Sequence, residues 1–185
     1  MDIWEKLTKW STDRSLDKME YNRNGFCTNI AEERYELLLG VQDDDANEIV
    51  DAICDIIVFS NTELSKFGTM YSSCDMENII GAMEHEYGVC IAYDLYLTSV
   101  IGKLIDTDDE EEQIVLLLDI ISLSLEALSY IAHPALCLEE CHKEINSRTG
   151  AWSDEHKKWK KFTTEEAKSL WYKADYTNYL KVDDE

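Results

Sequence analysis

Apolar residues recur every three to four positions along most of the chain, the period of a helix, and no convincing strand pattern interrupts them. Ile3, Trp4, Leu7 and Trp10, followed by Leu16 and Met19, predict one or two short amphipathic helices that part near Ser11-Thr12-Asp13. Asn22-Arg23-Asn24-Gly25 reads as a turn, after which Thr28 or Asn29 caps a helix that ends near Gly40. The connection from Val41 to Asp45 is short, and Asp44 or Asp45 caps the next helix, which runs to Phe67 with Gly68 as its stop. Helices joined this closely are antiparallel neighbours. A third long helix is expected from Asp75 to near Ile105, a fourth from Glu110 to Ala132 ahead of Pro134, and a shorter one from Ala135 to Ile145. The predicted fold class is all-α: one domain over 1–185, with a bundle of four to five main helices in 1–133 and an extension in 134–185.

Five acids break the apolar pattern. Glu33 and Glu36 are three apart on the first long helix; Glu48, Asp51 and Asp55 fall at i, i+3 and i+7 on the second. That second helix is hydrophobic on nearly every other position, from Ile49 and Val50 to Val58 and Phe59, which marks it as buried. An ionised carboxylate in such a helix costs several kcal/mol unless it is paired or coordinated. Arg34 and Lys66 are the only basic residues from Arg34 to the one preceding Lys103, so a divalent cation is the economical partner. Magnesium takes hard oxygen ligands in near-octahedral geometry, and acids at i, i+3 on two facing helices present four carboxylates to one small volume.

Composition narrows the function. Thirty-nine acidic against seventeen basic residues give a net charge of −22, which argues against a nucleic-acid polymer or an anionic membrane surface as partner. The six cysteines form no C-x-x-C pair, and Met1 opens no signal-peptide pattern, so reduced thiols and a cytoplasmic location are expected. The apolar run from Ile114 to Ala132 is broken by Asp119 and Glu126 and reads as a core helix, not a membrane span. Charge is also distributed unevenly: nine of the seventeen basic residues lie between Lys143 and Lys181, among aromatic residues. An acidic centre with a basic tail suits a site that holds metal at one end and phosphate at the other.

The order E-E-x-x-E at Glu32, Glu33 and Glu36, an eleven-residue gap, then E-x-x-D at Glu48 and Asp51, resembles the signature of the MazG-like all-α nucleoside triphosphate pyrophosphohydrolases, the superfamily of the dimeric dUTPases and dCTP pyrophosphatases. Glu144-Ile145-Asn146-Ser147-Arg148, a lysine-rich stretch and Tyr172-Lys173-Ala174-Asp175-Tyr176 also look like the C-terminal segment of phage and bacterial members, although Arg148 stands where lysine is usual and a glycine is missing. The resemblance implies Mg2+, with Mn2+ as a substitute, on Glu33, Glu36, Glu48 and Asp51, and a water deprotonated by Glu32 or Glu36. It further implies substrate contacts from Asn29, Asp55, Asn146, Arg148, Lys157, Lys158, Tyr172 and Lys173, and a homodimer or homotetramer acting on a nucleotide. The rival readings are a helical interaction protein without enzymatic activity, and the same chemistry on an alarmone or a nucleoside diphosphate.

Other patterns carry less. Trp4 and Trp10 suit a core, with nucleobase stacking as the functional alternative. His133, Cys137 and Cys141 recur every four residues beside His142, but collinear ligands on one helix cannot close the tetrahedron that zinc requires. Ser147 has no His/Asp partners in the pattern of a nucleophilic triad, and no glycine-rich phosphate loop is present.

Overall fold

The computed structural model describes residues 1–71, 86–156 and 158–181. The described residues are mostly helical, as the periodicity requires. Helix α1 (Ile3–Asp13) starts at a capping box in which the Asp2 carboxylate accepts from the Glu5 N–H and the Glu5 carboxylate accepts from the Asp2 N–H. A single 3-10 turn, Leu16–Lys18, follows. Helix α2 (Arg23–Asp43) begins earlier than expected: the Asn22 side chain accepts from the Gly25 N–H at 3.0 Å and caps it, so the stretch read as a turn is its first turn. It also continues past Gly40 and ends where Asp44 adopts the left-handed conformation, at φ 55°. Asp45 then caps α3 (Ala46–Lys66), accepting from the N–H groups of Asn47 and Glu48 at 3.0 and 3.2 Å. Gly68, at φ +69°, sits just beyond its end.

Helices α4 (Glu86–Asp106), α5 (Glu110–Ile131) and α6 (Pro134–Ser147) complete the bundle. The expected start of the third long helix at Asp75 lies outside the described residues. Helix α3 is the central element, packed against α1, α2, α5 and α6, and Ile53, Cys54, Ile56 and Ile57 on it are wholly buried. Each such aliphatic side chain contributes roughly 1.5–3 kcal/mol of burial. Helix α5 is long and apolar enough to cross a membrane by length and composition, yet Leu117, Ile120, Ile121 and Leu128 are buried against the rest of the bundle. Trp4 is core, its ring centroid 4.5 Å from that of Tyr71. The five described cysteines, Cys27, Cys54, Cys90, Cys137 and Cys141, are free thiols.

The hydrophobic core does not stop at residue 133. Cys137, Leu138, Cys141 and Ile145 of α6 and Tyr176 of the tail belong to it. Beyond α6 the expectation of a strand-free chain fails, because Gly150–Ser153 (β1) pairs antiparallel with Lys158–Lys161 (β2), Trp152 opposite Trp159. Strands of four residues are too short for a period-two pattern to stand out, and cross-strand Trp pairing supplies what periodicity could not announce. The hairpin depends on Gly150: a Cβ there would lie 2.3 Å from the Trp159 ring and 2.4 Å from the Lys160 carbonyl oxygen. Gly150→Ala is expected to open the hairpin, visible as a loss of near-UV tryptophan dichroism, and to leave helical dichroism unchanged.

After a four-residue helix, α7 (Glu165–Lys168), the chain returns as a strap, 172–181, laid over α6 and the start of α3. Its end is fastened by the His133 N–H to the Tyr179 carbonyl at 3.0 Å and the Lys181 N–H to the Ile131 carbonyl at 2.8 Å.

Candidate functional site

The α2–α3 hairpin sets which acids meet. Gly40 lies so close to Ile49 that an added Cβ would be 3.0 Å from its Cγ1 and its backbone nitrogen. From that point the helices run antiparallel, each step back along α2 matched by one forward along α3. The pairing brings Glu33 within electrostatic reach of Asp55, Glu36 and Asp51. Burial raises the Glu33 carboxyl to about 8, and among its neighbours Asp55 contributes most, then Glu36 and Asp51. Asp55 is itself pushed up to about 7, by burial first and by Asp51 next, against the opposing pull of Arg148. Asp51 is raised in the same way. Glu33 is buried, Asp51 and Asp55 are half-buried, and Glu36 is exposed at the rim. Glu48 is half-buried, its Cβ 3.2 Å from where a Cβ on Gly40 would lie, and its charge adds to the rise of Asp51.

The two basic residues nearest in sequence serve other acids. Arg34 forms a bidentate pair with Asp94 of α4, at 2.6 Å from Nε and 3.0 Å from a terminal nitrogen. Lys66 pairs with Glu63 at 2.6 Å. The cation that reaches the cluster is Arg148, just past the end of α6; it pairs with Glu144 and stands close enough to Asp51 and Asp55 to lower both. From α6 also comes the Cys141 thiol, which donates to Asp55 Oδ1 at 3.7 Å. From the strap comes Tyr176, whose hydroxyl donates to Asp51 Oδ1 at 2.7 Å.

The other sequence candidates are placed as follows. Glu32 and Asn29 are exposed on α2, and Asn146 is exposed near the end of α6. Lys158 is exposed on β2 and Lys173 on the strap, with no ion pair to the carboxylates among the described residues. Tyr172 is engaged elsewhere: its hydroxyl donates to Glu140, a buried acid that also receives Lys143 at 2.7 Å. Lys157 lies outside the described residues. Asn47 was not picked out, and Glu144, Cys141 and Tyr176, which fall in stretches noted above, were given no role at the acids, because long-range partners leave no local period. The spacing of Glu144 and Arg148 at i, i+4 was the one available sign.

The donor set is all oxygen and nearly all carboxylate, the chemistry a hard divalent cation requires. Among the described residues, no three His, Cys, Asp or Glu side chains are drawn together closely enough to enclose an ion. Cys137 and Cys141 are buried while His133 is exposed, so the histidine–cysteine series on α6 does not form a zinc site among the described residues. No protein-family model, curated protein or solved structure matches this chain.

Proposed function

We propose that the chain is a Mg2+-dependent nucleotide pyrophosphohydrolase that cleaves a nucleoside triphosphate, of the deoxy series by preference, to the monophosphate and pyrophosphate. The observation that carries this reading is that Glu33 and Glu36 from α2 and Asp51 and Asp55 from α3 form one electrostatic group, in which burial first and one another's charge next raise Glu33 to about 8 and Asp55 to about 7. Arg34 and Lys66 are committed to other acids, and Arg148, shared with Glu144, leaves these carboxylates in excess of positive charge among the described residues. The order of these acids in the chain, and its likeness to the MazG-like signature, supports the choice of reaction.

Glu33, Glu36, Glu48 and Asp51 would hold the ion, with Asp55 beside them. Bound Mg2+ supplies charge neutralisation on the phosphoryl oxygens and a bound water of lowered pKa. Glu36, exposed at the rim, is positioned to take a proton from that water, and Glu32 one position from Glu33 is the alternative base. Arg148 balances phosphate charge on the α6 side, where it already stands beside Asp55. Association into a homodimer or homotetramer belongs to the same reading; Tyr35 and Leu38, 64 % and 44 % exposed on α2 beside Glu32 and Glu36, form apolar surface that association would cover.

The test is product analysis with purified protein, Mg2+ and the common ribo- and deoxynucleoside triphosphates, alongside a nucleoside diphosphate and an alarmone. Monophosphate and pyrophosphate in equal amounts from a triphosphate support the reading. Turnover of the diphosphate or the alarmone alone supports the narrower rival, and the absence of turnover on every substrate contradicts an enzymatic role.

A further inference from the structure

The tail of this chain reaches back to the acids by a single buried hydroxyl. Tyr176 is 1 % exposed, fixed in the hydrophobic core, and its hydroxyl donates to Asp51 Oδ1 at 2.7 Å. The backbone that delivers it is held on both sides. The Tyr176 N–H donates to Asn47 Oδ1 at 2.9 Å, and the same Asn47 side chain donates through Nδ2 to Thr177 Oγ1 at 3.2 Å. One turn along α3 separates Asn47 from Asp51, so one face of that helix holds both the strap and the carboxylate. On the other side the Ala174 N–H donates to Glu144 Oε2 at 2.7 Å, and the Tyr172 N–H to Ser147 Oγ at 2.8 Å.

Buried and facing a carboxylate oxygen, the phenol O–H acts as the donor of this contact. A carboxylate whose one oxygen is taken by such a donor has its plane and its second oxygen set. Outer partners of this kind govern the orientation of metal-ligating carboxylates, and their removal typically lowers affinity about 10- to 100-fold. We propose that Tyr176 is a positioning residue: delivered by the 172–181 strap, it holds Asp51 Oδ1 and so leaves Oδ2 as the oxygen that ligates a divalent cation.

This inference rests on the metal-site reading above, and the probe is Mn2+ alone, its free concentration followed by electron paramagnetic resonance in the absence of nucleotide. Tyr176→Phe removes only the hydroxyl from a packed ring. Its Mn2+ affinity is expected to fall at least about tenfold, with the thermal midpoint shifted by less than that of Tyr176→Ala. Thr177→Ala, which loosens the strap without touching Asp51, is expected to bind as the wild type does. In an Asp51→Asn background, Tyr176→Phe is expected to add no further loss, since the two act through one contact.

Wild-type affinity in Tyr176→Phe overturns the proposal and leaves the metal site standing, as does an equal loss in Thr177→Ala, which would assign the effect to strap packing. No saturable Mn2+ binding by the wild type overturns both the metal site and this inference.

Discussion

With divalent ions chelated, the melting temperature is expected to fall as the pH is raised from 5 to 8, the reverse of what a protein held by ordinary carboxylate ion pairs shows. The folded carboxyl values for Glu33 and Asp55 are about 8 and about 7. Both lie above the unfolded range for these acids of about 4. Between the two limits the folded state binds more protons than the unfolded one. Their contribution is therefore complete below the unfolded values and is lost as the pH rises through 7 and 8. Asp51 and Glu63 are shifted the same way, while burial lowers His142, a single half-buried group that opposes the trend. Glu140, lowered by hydrogen bonds from Lys143 and Tyr172 against its burial, and exposed Asp175, lowered by those of Thr177, lose their contribution only below pH 5. For a chain of this size about 1 kcal/mol moves the midpoint by roughly 2–4 °C. A fall of roughly 5 °C or more is the expected size.

Two controls belong to the same melting experiment. Asp55→Asn and Glu33→Gln remove the repulsion, so each is expected to raise the midpoint of the chelated protein at pH 8 and to flatten its pH dependence. Mg2+ displaces protons from its ligands, so it is expected to raise the wild-type midpoint more at pH 8 than at pH 5, and not to raise that of Asp55→Asn. Groups that destabilise the folded chain and recover with a cation are the behaviour of a site kept for function at a cost in stability.

The second large effect concerns catalysis. Asp51→Asn is expected to lower pyrophosphate release by at least roughly 100-fold, because loss of a ligand costs no less than loss of an outer partner. The substitution keeps the Tyr176 contact, since an amide oxygen accepts the hydroxyl as the carboxylate does, and so separates charge from packing. Glu48→Gln, which removes a second proposed ligand, is expected to lower release as well. Equal kcat/KM for Asp51→Asn and wild type, with folding intact by helical dichroism, would remove Asp51 from the mechanism.

Local chemistry accounts for what the sequence made legible. The cap at Asp45, the stop at Gly68 and the apolar period of α3 depend on residues within a turn of one another, and they place that helix to within a residue or two. The same locality made α2 start too late, because Asn22 and Thr28 or Asn29 are all good caps and only the packing of Phe26 in the core decides among them. The hairpin at Gly150 went unseen for a related reason, its pairing being a matter of Trp159 fitting over a residue with no side chain.

At the site, spacing identified the acids but not their ranking. Spacing within α3 treats Glu48, Asp51 and Asp55 alike. The seating of Gly40 against Ile49 and the Glu48 Cβ sets how α2 faces α3, and Asp55 is the neighbour whose charge raises Glu33 most. Arg148 was picked out as a cation from charge distribution, yet its place beside Asp55 depends on α6 lying against α3. Tyr176, 125 residues from Asp51, was beyond any local pattern.

The central claim is that acids from α2 and α3 form one divalent-cation site, and direct binding tests it most simply. Metal-free wild type and the Glu33→Gln/Asp55→Asn double variant would be titrated side by side with Mn2+ at pH 8 by calorimetry. The account predicts saturable binding of at least one ion per chain by the wild type, with proton release on binding, and none by the double variant over the same range. Absence of saturable binding by the wild type, or binding by the double variant with unchanged affinity and stoichiometry, would contradict it.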